Sequence, residues 1–420
     1  YYTPVPTQNL IRRYNDNPSD RNSYNIQATY SEPISTGTYL QVSYQYAYSE
    51  QNSDRATYNV PDVNYGLDDY WEYVKNEADK DSLQSTNTFY YNYDQTIQLQ
   101  FRKNATDQSY NFTVGLSILP QHSKMNYTGM GLKDTILERT VFNWTPTVQF
   151  RYRVSRQEQV NIRYNGRSSQ PSMQQLLPIR DDSNPLRISS GNPGLKPTFN
   201  NQLSVGYQKY NPVTMGSFNI NTSISNTMRQ IQNKSILLEN GGNESMPVNM
   251  DGFWANWNAS ASLTYNYTFP DDRYSITSST SGNFSHQEGW AAELNNDAQL
   301  RTTKTTGANE NLSAEYRDDY LTISLDGSLR YNHSVNDIDP KRNMDTYDYS
   351  YGTSIMAFIP WRNMRLGSDL NMNSRRGYDG DMNRDELIWN ASLSFSFLKG
   401  NKASLSLAAY DILHQRSTVS

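Results

Sequence analysis

Tyr164-Asn165-Gly166-Arg167-Ser168-Ser169-Gln170-Pro171-Ser172 and, after a polar interval, Gly191-Asn192-Pro193-Gly194-Leu195-Lys196-Pro197 form the stretch whose reading decides the fold. The first segment ends a strand. The second is a run of turns, because Gly191, Pro193, Gly194 and Pro197 each restrict or redirect the backbone within one short span. The chain then alternates through Leu203, Val205 and Tyr207 to Tyr210. A long loop is therefore steered back into a strand at a fixed point.

The same construction recurs along the chain. Leu40, Val42, Tyr44, Tyr46 and Tyr48 alternate with Gln41, Ser43, Gln45 and Ala47. Tyr110, Phe112, Val114, Leu116 and Ile118 alternate with Asn111, Thr113, Gly115 and Ser117. Leu321, Ile323, Leu325 and Leu329 do the same, as do Leu393, Phe395 and Phe397. Period two marks strands with unlike faces. Helical periodicity is absent over any useful length.

Short polar links are expected at Glu32–Gly37, Lys103–Gln108, Arg156–Glu158, Asn211–Val213, Pro270–Arg273, Asp318–Asp319, Pro360–Arg362 and Lys399–Asn401. Long links are expected at Glu50–Gln84, Pro120–Arg139, Ser168–Pro197, Gln230–Met250, Trp290–Gly307, Asn336–Asp345 and Arg375–Asp385. The two kinds alternate. An outer-membrane barrel has tight turns at one end and extended loops at the other, whereas a soluble sandwich mixes link lengths without order. The expected fold is all-β, a transmembrane antiparallel up-and-down β-barrel of roughly 16 strands. Its first strand lies near Tyr24–Tyr30 and its last near Lys402–Gln415.

Composition agrees. The 420 residues are only 35% hydrophobic, with 33 Tyr, 13 Phe and 7 Trp. Mean hydropathy is −0.83. Polarity with abundant aromatics suits two-faced strands rather than disorder. The apolar runs fall short of the roughly 20 residues a spanning helix needs, which leaves strands as the means of crossing a membrane. Cysteine is absent and the net charge is −5. There is thus no thiolate site and no basic footprint for nucleic acid. Tyr1-Tyr2-Thr3-Pro4 has neither the basic start nor the apolar core of a secretory leader, so a mature or truncated chain is expected.

The Pro171-Ser172 and Gly191–Pro197 segments resemble the signature of TonB-dependent outer-membrane receptors, a strand followed by "xxPS" and then "GNPxLKPE". Thr198 stands where that pattern has an acid. Tyr378–Phe397 and Tyr410-Asp411-Ile412-Leu413 are similar to late segments of receptor barrels that carry a carboxypeptidase-regulatory-like domain before the plug. The resemblance covers nearly the whole chain and implies a barrel of about 22 strands around a plug. On that basis residues 1–420 are one barrel domain, truncated at both ends, with the plug domain outside the chain. The implied function is import of a nutrient (chelated iron, glycan, peptide or vitamin) in the bacterial outer membrane. The implied partners are outer-membrane lipid, the plug domain of the same polypeptide, an energy-coupling inner-membrane complex and, in the SusC-type subgroup, a surface lipoprotein. A non-transporting barrel that scaffolds surface proteins and a secreted all-β adhesin are the alternatives.

Candidate ligand-binding residues lie in two long loops. Asp68, Asp69, Tyr70 and Trp71 combine acids with aromatics, as a cationic or sugar-like ligand would require; an acidic, self-packed external loop is the plain alternative. Arg180, Asp181 and Asp182 lie in the loop that ends at Pro197. Asp379, Asp381, Asn383 and Asp385 alternate as calcium ligands do. However, Arg384 occupies the place of the usual glycine, and an exposed polar loop explains the pattern equally. Ca2+ there is the single cofactor the sequence raises. His122, His286, His333 and His414 lie too far apart in sequence for a paired zinc motif. No catalytic constellation is visible, so an enzyme is not expected.

Overall fold

The computed structural model describes residues 13–60, 75, 80–82, 84–129, 132–182, 184, 186–293, 296–338, 340–397 and 402–416. Their strands are β1 (Arg13–Asp16), β2 (Ser19–Ser35), β3 (Thr38–Asn59), β4 (Thr86–Asn104), β5 (Tyr110–Gly129), β6 (Leu132–Ser155) and β7 (Glu158–Ser169). A one-turn helix α1 (Met173–Leu176) follows, then β8 (Arg180–Asp181), β9 (Arg187–Ser190), β10 (Thr198–Asn211) and β11 (Gly216–Met228). Next come β12 (Ile231–Leu237), β13 (Asn243–Asn249), β14 (Asn256–Thr268), β15 (Tyr274–Glu293), β16 (Asn296–Arg317) and β17 (Leu321–Asn336). The last are β18 (Met344–Ile359), β19 (Met364–Arg376), β20 (Asp385–Phe397) and β21 (Ala403–Ala409).

Seventeen of these strands form one antiparallel sheet. β1 and β2 both pair with β3, at its far and near ends, and so act as one stave interrupted at Asn17-Pro18. Proline has no N–H for the ladder, which accounts for the break. Sixteen staves result, in the up-and-down order expected. Among the described residues β2 pairs only with β3 and β21 only with β20, so the sheet ends on these two edges.

One face of the sheet is apolar and the other polar. On β5, Val114 and Leu116 are 37% and 42% exposed, while Thr113 and Ser117 on either side of them are each 8% exposed. The registers carry this alternation from stave to stave. Thr113 lies opposite Gln149, Gln149 opposite Arg163, Arg163 opposite Ser204 and Ser204 opposite Ser223. The polar row is therefore continuous and faces inward, and Leu99, Leu116, Leu203 and Leu263 face outward with their neighbours. Lipid on one side and water on the other is what such a wall requires.

Aromatic rings on the outward face fall into two belts. Near the short turns, Phe112 packs on Phe150, Tyr207 on Phe218, and Tyr274 on Tyr316. Toward the other end, Tyr48 packs on Tyr93, Trp144 on Phe199, Trp257 on Phe284, and Tyr331 on Tyr347. Paired girdles of this kind sit at the two interfaces of a membrane barrel. Trp144 and Trp257 are in a belt, whereas Trp361 is in a short turn and 80% exposed.

The short turns share one local device. Asp107 accepts from Ser109 N (3.0 Å), Asn211 from Val213 N (3.0 Å) and Asp271 from Arg273 N (3.3 Å). Asp318 accepts from both Tyr320 N and Leu321 N at 2.8 Å. Short Asp and Asn side chains make these local bonds where the strand ladder ends. The Asp318 carboxyl is held below its ordinary range, first by the Tyr320 N–H, then by the Tyr316 hydroxyl and the Leu321 N–H. Its folded-state value is lowered, so its contribution is present at neutral pH and is lost as pH falls through that value. The protection of the Tyr320 and Leu321 amides, measured against their intrinsic exchange rates, should fall as pH drops below the usual carboxylate range in the native protein. In Asp318→Asn this acid-dependent step should be absent; an unchanged step would assign it to another group.

Several expected links are corrected by the fold. Pro120–Arg139 and Trp290–Gly307 are not loops: β5 runs to Gly129, β6 starts at Leu132, β15 reaches Glu293 and β16 starts at Asn296. β3 likewise continues to Asn59. These staves project beyond the upper aromatic belt, where on β5 the outward residues become His122 and Lys124. The last strand stops at Ala409 rather than near Gln415. Asp411 adopts a left-handed conformation (φ 48°) and accepts from Gln415 N and Arg416 N, which folds the segment into a turn.

Candidate functional site

The Pro171-Ser172 segment starts α1. Ser172 Oγ accepts from Gln175 N (3.2 Å), and the Gln175 side chain accepts from Ser172 N (2.9 Å). This reciprocal pair is a capping box, and it lets a four-residue helix form. The helix presents Met173 and Leu176 to a buried cluster with Leu177, Leu195, Met125 and Tyr127. Met125 and Tyr127 belong to the same row of β5 as Thr113 and Ser117. The loop is therefore folded onto the inward face of the wall, held there by apolar contact.

The Gly191–Pro197 segment ties this loop to its neighbours. Gly191 runs so close to the α1 turn that a Cβ there would lie 2.0 Å from the Leu177 carbonyl oxygen. Asn192 N donates to Gln175 O (2.6 Å), and Asn192 Nδ2 donates to Pro247 O (3.0 Å). Asn249 accepts from Lys196 N (2.7 Å) and donates to Lys196 O and Arg229 O. Arg139 of β6 donates to Leu195 O (3.2 Å). A second small sheet completes the link, in the order β12-β13-β9-β8, with β9 and β13 parallel. Two loops far apart in sequence thus share one ladder. β12 also reaches β15, where Gln232 Nε2 donates to Glu288 O (2.8 Å).

Between this loop sheet and the wall lies a cavity of about 780 Å³. The wall contributes Arg55, Thr88, Tyr90 and Tyr127; the loops contribute Gln175, Asp181, Ser189, Asn233 and Ser245. Hydroxyls, amides and two phenols share the lining about equally with Met125, Met173, Leu177 and Ile179. Arg55 Nη2 donates to Gln84 O (3.1 Å), while its Nε is buried without a hydrogen-bond partner among the described residues. Burial raises the Tyr127 hydroxyl; Arg55 pulls it down and Asp181 pushes it up. Cation, acid and phenol are therefore close together beside one pocket, above the upper aromatic belt.

The candidate residues fare differently. Asp68, Asp69, Tyr70 and Trp71 lie outside the described residues. Asp181 lines the cavity. Arg180 is drawn into a bidentate pair with Glu244, at 3.1 Å on each oxygen. That bond, and the charge of Glu244, raise the Arg180 guanidinium above its usual range. Asp182 is exposed beside it. In the calcium-like segment, Arg376 donates to both oxygens of Asp385 (2.7 and 2.8 Å), and Asn383 Oδ1 accepts from Tyr378 N (2.9 Å). Asp379 is exposed. Among the described residues no group of three or more His, Asp or Glu side chains converges as a metal site.

Sequence reading missed Arg55, Tyr90, Tyr127 and Asn233. Each is an ordinary strand residue: Arg55, Tyr90 and Tyr127 matter through what folds over them, and Asn233 through the hairpin that covers them. No curated protein matches the chain. The model of the outer membrane protein beta-barrel family matches residues 1–420. With the two-faced wall and its aromatic belts, this means that the chain belongs to that family and is a barrel protein of the bacterial outer membrane.

Proposed function

We propose that this chain is the wall and external loop assembly of a TonB-dependent receptor that imports a nutrient. The observation that carries the reading is the Gly191–Pro197 segment, which locks a loop, a hairpin and the inner wall around a cavity of mixed polar and apolar lining at the loop end. Functional residues concentrate where loops are held by a rigid scaffold. Arg55, Tyr127 and Asp181 are the ligand-contacting residues of this reading. A plug domain of the same polypeptide and an energy-coupling inner-membrane complex complete it, and a surface lipoprotein is its further partner. Backbone groups cannot be left unpaired in hydrocarbon, so in this reading the β2 and β21 edges are closed by strands beyond those described.

Uptake of the limiting nutrient and its binding to whole cells are the measurements. De-energising the inner membrane should abolish uptake through the full-length protein and leave surface binding intact. Arg55→Ala should weaken surface binding roughly 10-fold, as loss of one charge-assisted contact does. Uptake that continued unchanged in de-energised cells would make the protein a passive pore and end the receptor reading.

A further inference from the structure

The outward face carries one feature that a lipid-facing wall does not need. Glu310 of β16 points to the lipid side, in the same row as Leu312 and Tyr316. Ser278 Oγ donates to Glu310 Oε1 (2.8 Å), and Thr280 donates to Oε2. Both hydroxyls are themselves outward-facing residues of β15, paired through Leu312 and Glu310. They lie midway between Tyr274 of one aromatic belt and Phe284 of the other. The group is thus near the centre of the hydrocarbon layer, where acidic side chains are disfavoured and rare. Two hydroxyls fill only part of a carboxyl group's hydrogen-bonding capacity.

Next to this group the wall is hollow. A groove of about 520 Å³ runs over Ala259, Ala261 and Gly282, between Val205, Ile224 and Phe284. Its surface is almost wholly apolar. Ala308, exposed on β16, continues it toward Glu310. Small residues in a membrane let two backbones approach closely, and polar side chains bond across the contact.

We propose that a second copy of this chain packs here, about a two-fold axis along the membrane normal. Such an axis keeps every residue at its own depth. Glu310 of one copy then meets Ser278 and Thr280 of the other, so a patch holding acceptor and donors at one depth complements itself. An isologous contact requires that property. A wall turned toward lipid alone would gain nothing from a carboxyl group held by two hydroxyls.

The chain has no cysteine, so single cysteines can be placed without background. Ala308→Cys in the full-length protein, oxidised in native outer membranes, should give a covalent homodimer. Leu116→Cys, seven staves away on β5, should give none. Thr306→Cys serves if Ala308→Cys does not fold, folding being judged by heat-modifiable migration. Glu310→Leu should remain folded and lose the dimer in mild detergent, with self-association roughly 10-fold weaker or more; Glu310→Gln should retain most of it. A monomer at position 308, equal crosslinking at Leu116, or crosslinking at 308 to a different protein would each overturn the proposal.

Discussion

Leu116→Arg should destabilise the barrel by about 2–4 kcal/mol, while Gln98→Arg, one stave away on the inward face, should be nearly neutral. Leu116 is 42% exposed on the apolar face. Its β4 partner is Leu99, and Gln98 lies opposite Ser117 on the polar face. An arginine at 116 places its guanidinium in hydrocarbon with no backbone carbonyl free to receive it. At 98 the same side chain extends into a polar interior and keeps its hydration. Refolding into vesicles, followed by denaturant titration of both variants, gives the two values side by side. If they differ by less than about 1 kcal/mol, the assignment of faces fails, because no other property separates positions so close in the wall.

The second large effect is expected at Gly191. A Cβ at this position would stand 2.0 Å from the Leu177 oxygen, 2.9 Å from its carbonyl carbon and 3.0 Å from the Gln175 oxygen. All three are backbone atoms, so no side chain can swing away to make room. Gly191→Ala should therefore separate α1 from the turn that follows it, at about 1–3 kcal/mol. The opened population of the loop should rise roughly 5–150-fold. Because Asn192 and Lys196 also hold the β12–β13 hairpin, both loops should loosen together. Limited proteolysis of intact cells should cut 173–195 and 231–249 faster, and surface binding of the nutrient should fall. The barrel should keep its heat-modifiable migration, since its ladder is independent of the loop. Asn249→Ala, which removes three bonds to the same hub, should act in the same direction. Faster cutting of 173–195 alone, with the hairpin unaffected, would show that the two loops are not coupled.

Much of the wall was legible in the sequence because lipid and water impose period two on every strand that separates them. Val114 and Thr113 announce their faces without any knowledge of their neighbours. The short turns were equally legible, since Asp107, Asn211, Asp271 and Asp318 each bond within their own turn. So was the Gly191–Pro197 segment, whose glycines and prolines restrict the backbone locally. The sequence failed where the environment changed along a strand. In Gln121–Tyr127 the outward residues are His122 and Lys124, in water, and the inward ones are Met125 and Tyr127, beneath a loop. On β5 apolar-out becomes apolar-in above the membrane, and the pattern there reads as a polar loop.

Tertiary structure alone decided the rest. β8 and β13 join one sheet and so bring Glu244 to Arg180, a pairing no local pattern announces. Arg376 likewise takes both oxygens of Asp385. Arg55, Tyr127 and Asp181 share a cavity only because a loop from after β7 folds back over β3 and β5. Glu310, Ser278 and Thr280 are brought together by the register of two staves. Local chemistry determines what a residue does with its immediate neighbours, so the sequence by itself specified the alternation, the turns and the barrel class. Contacts between residues distant in the chain depend on the register and on which loop covers which wall, and those are set by the packing of the whole sheet.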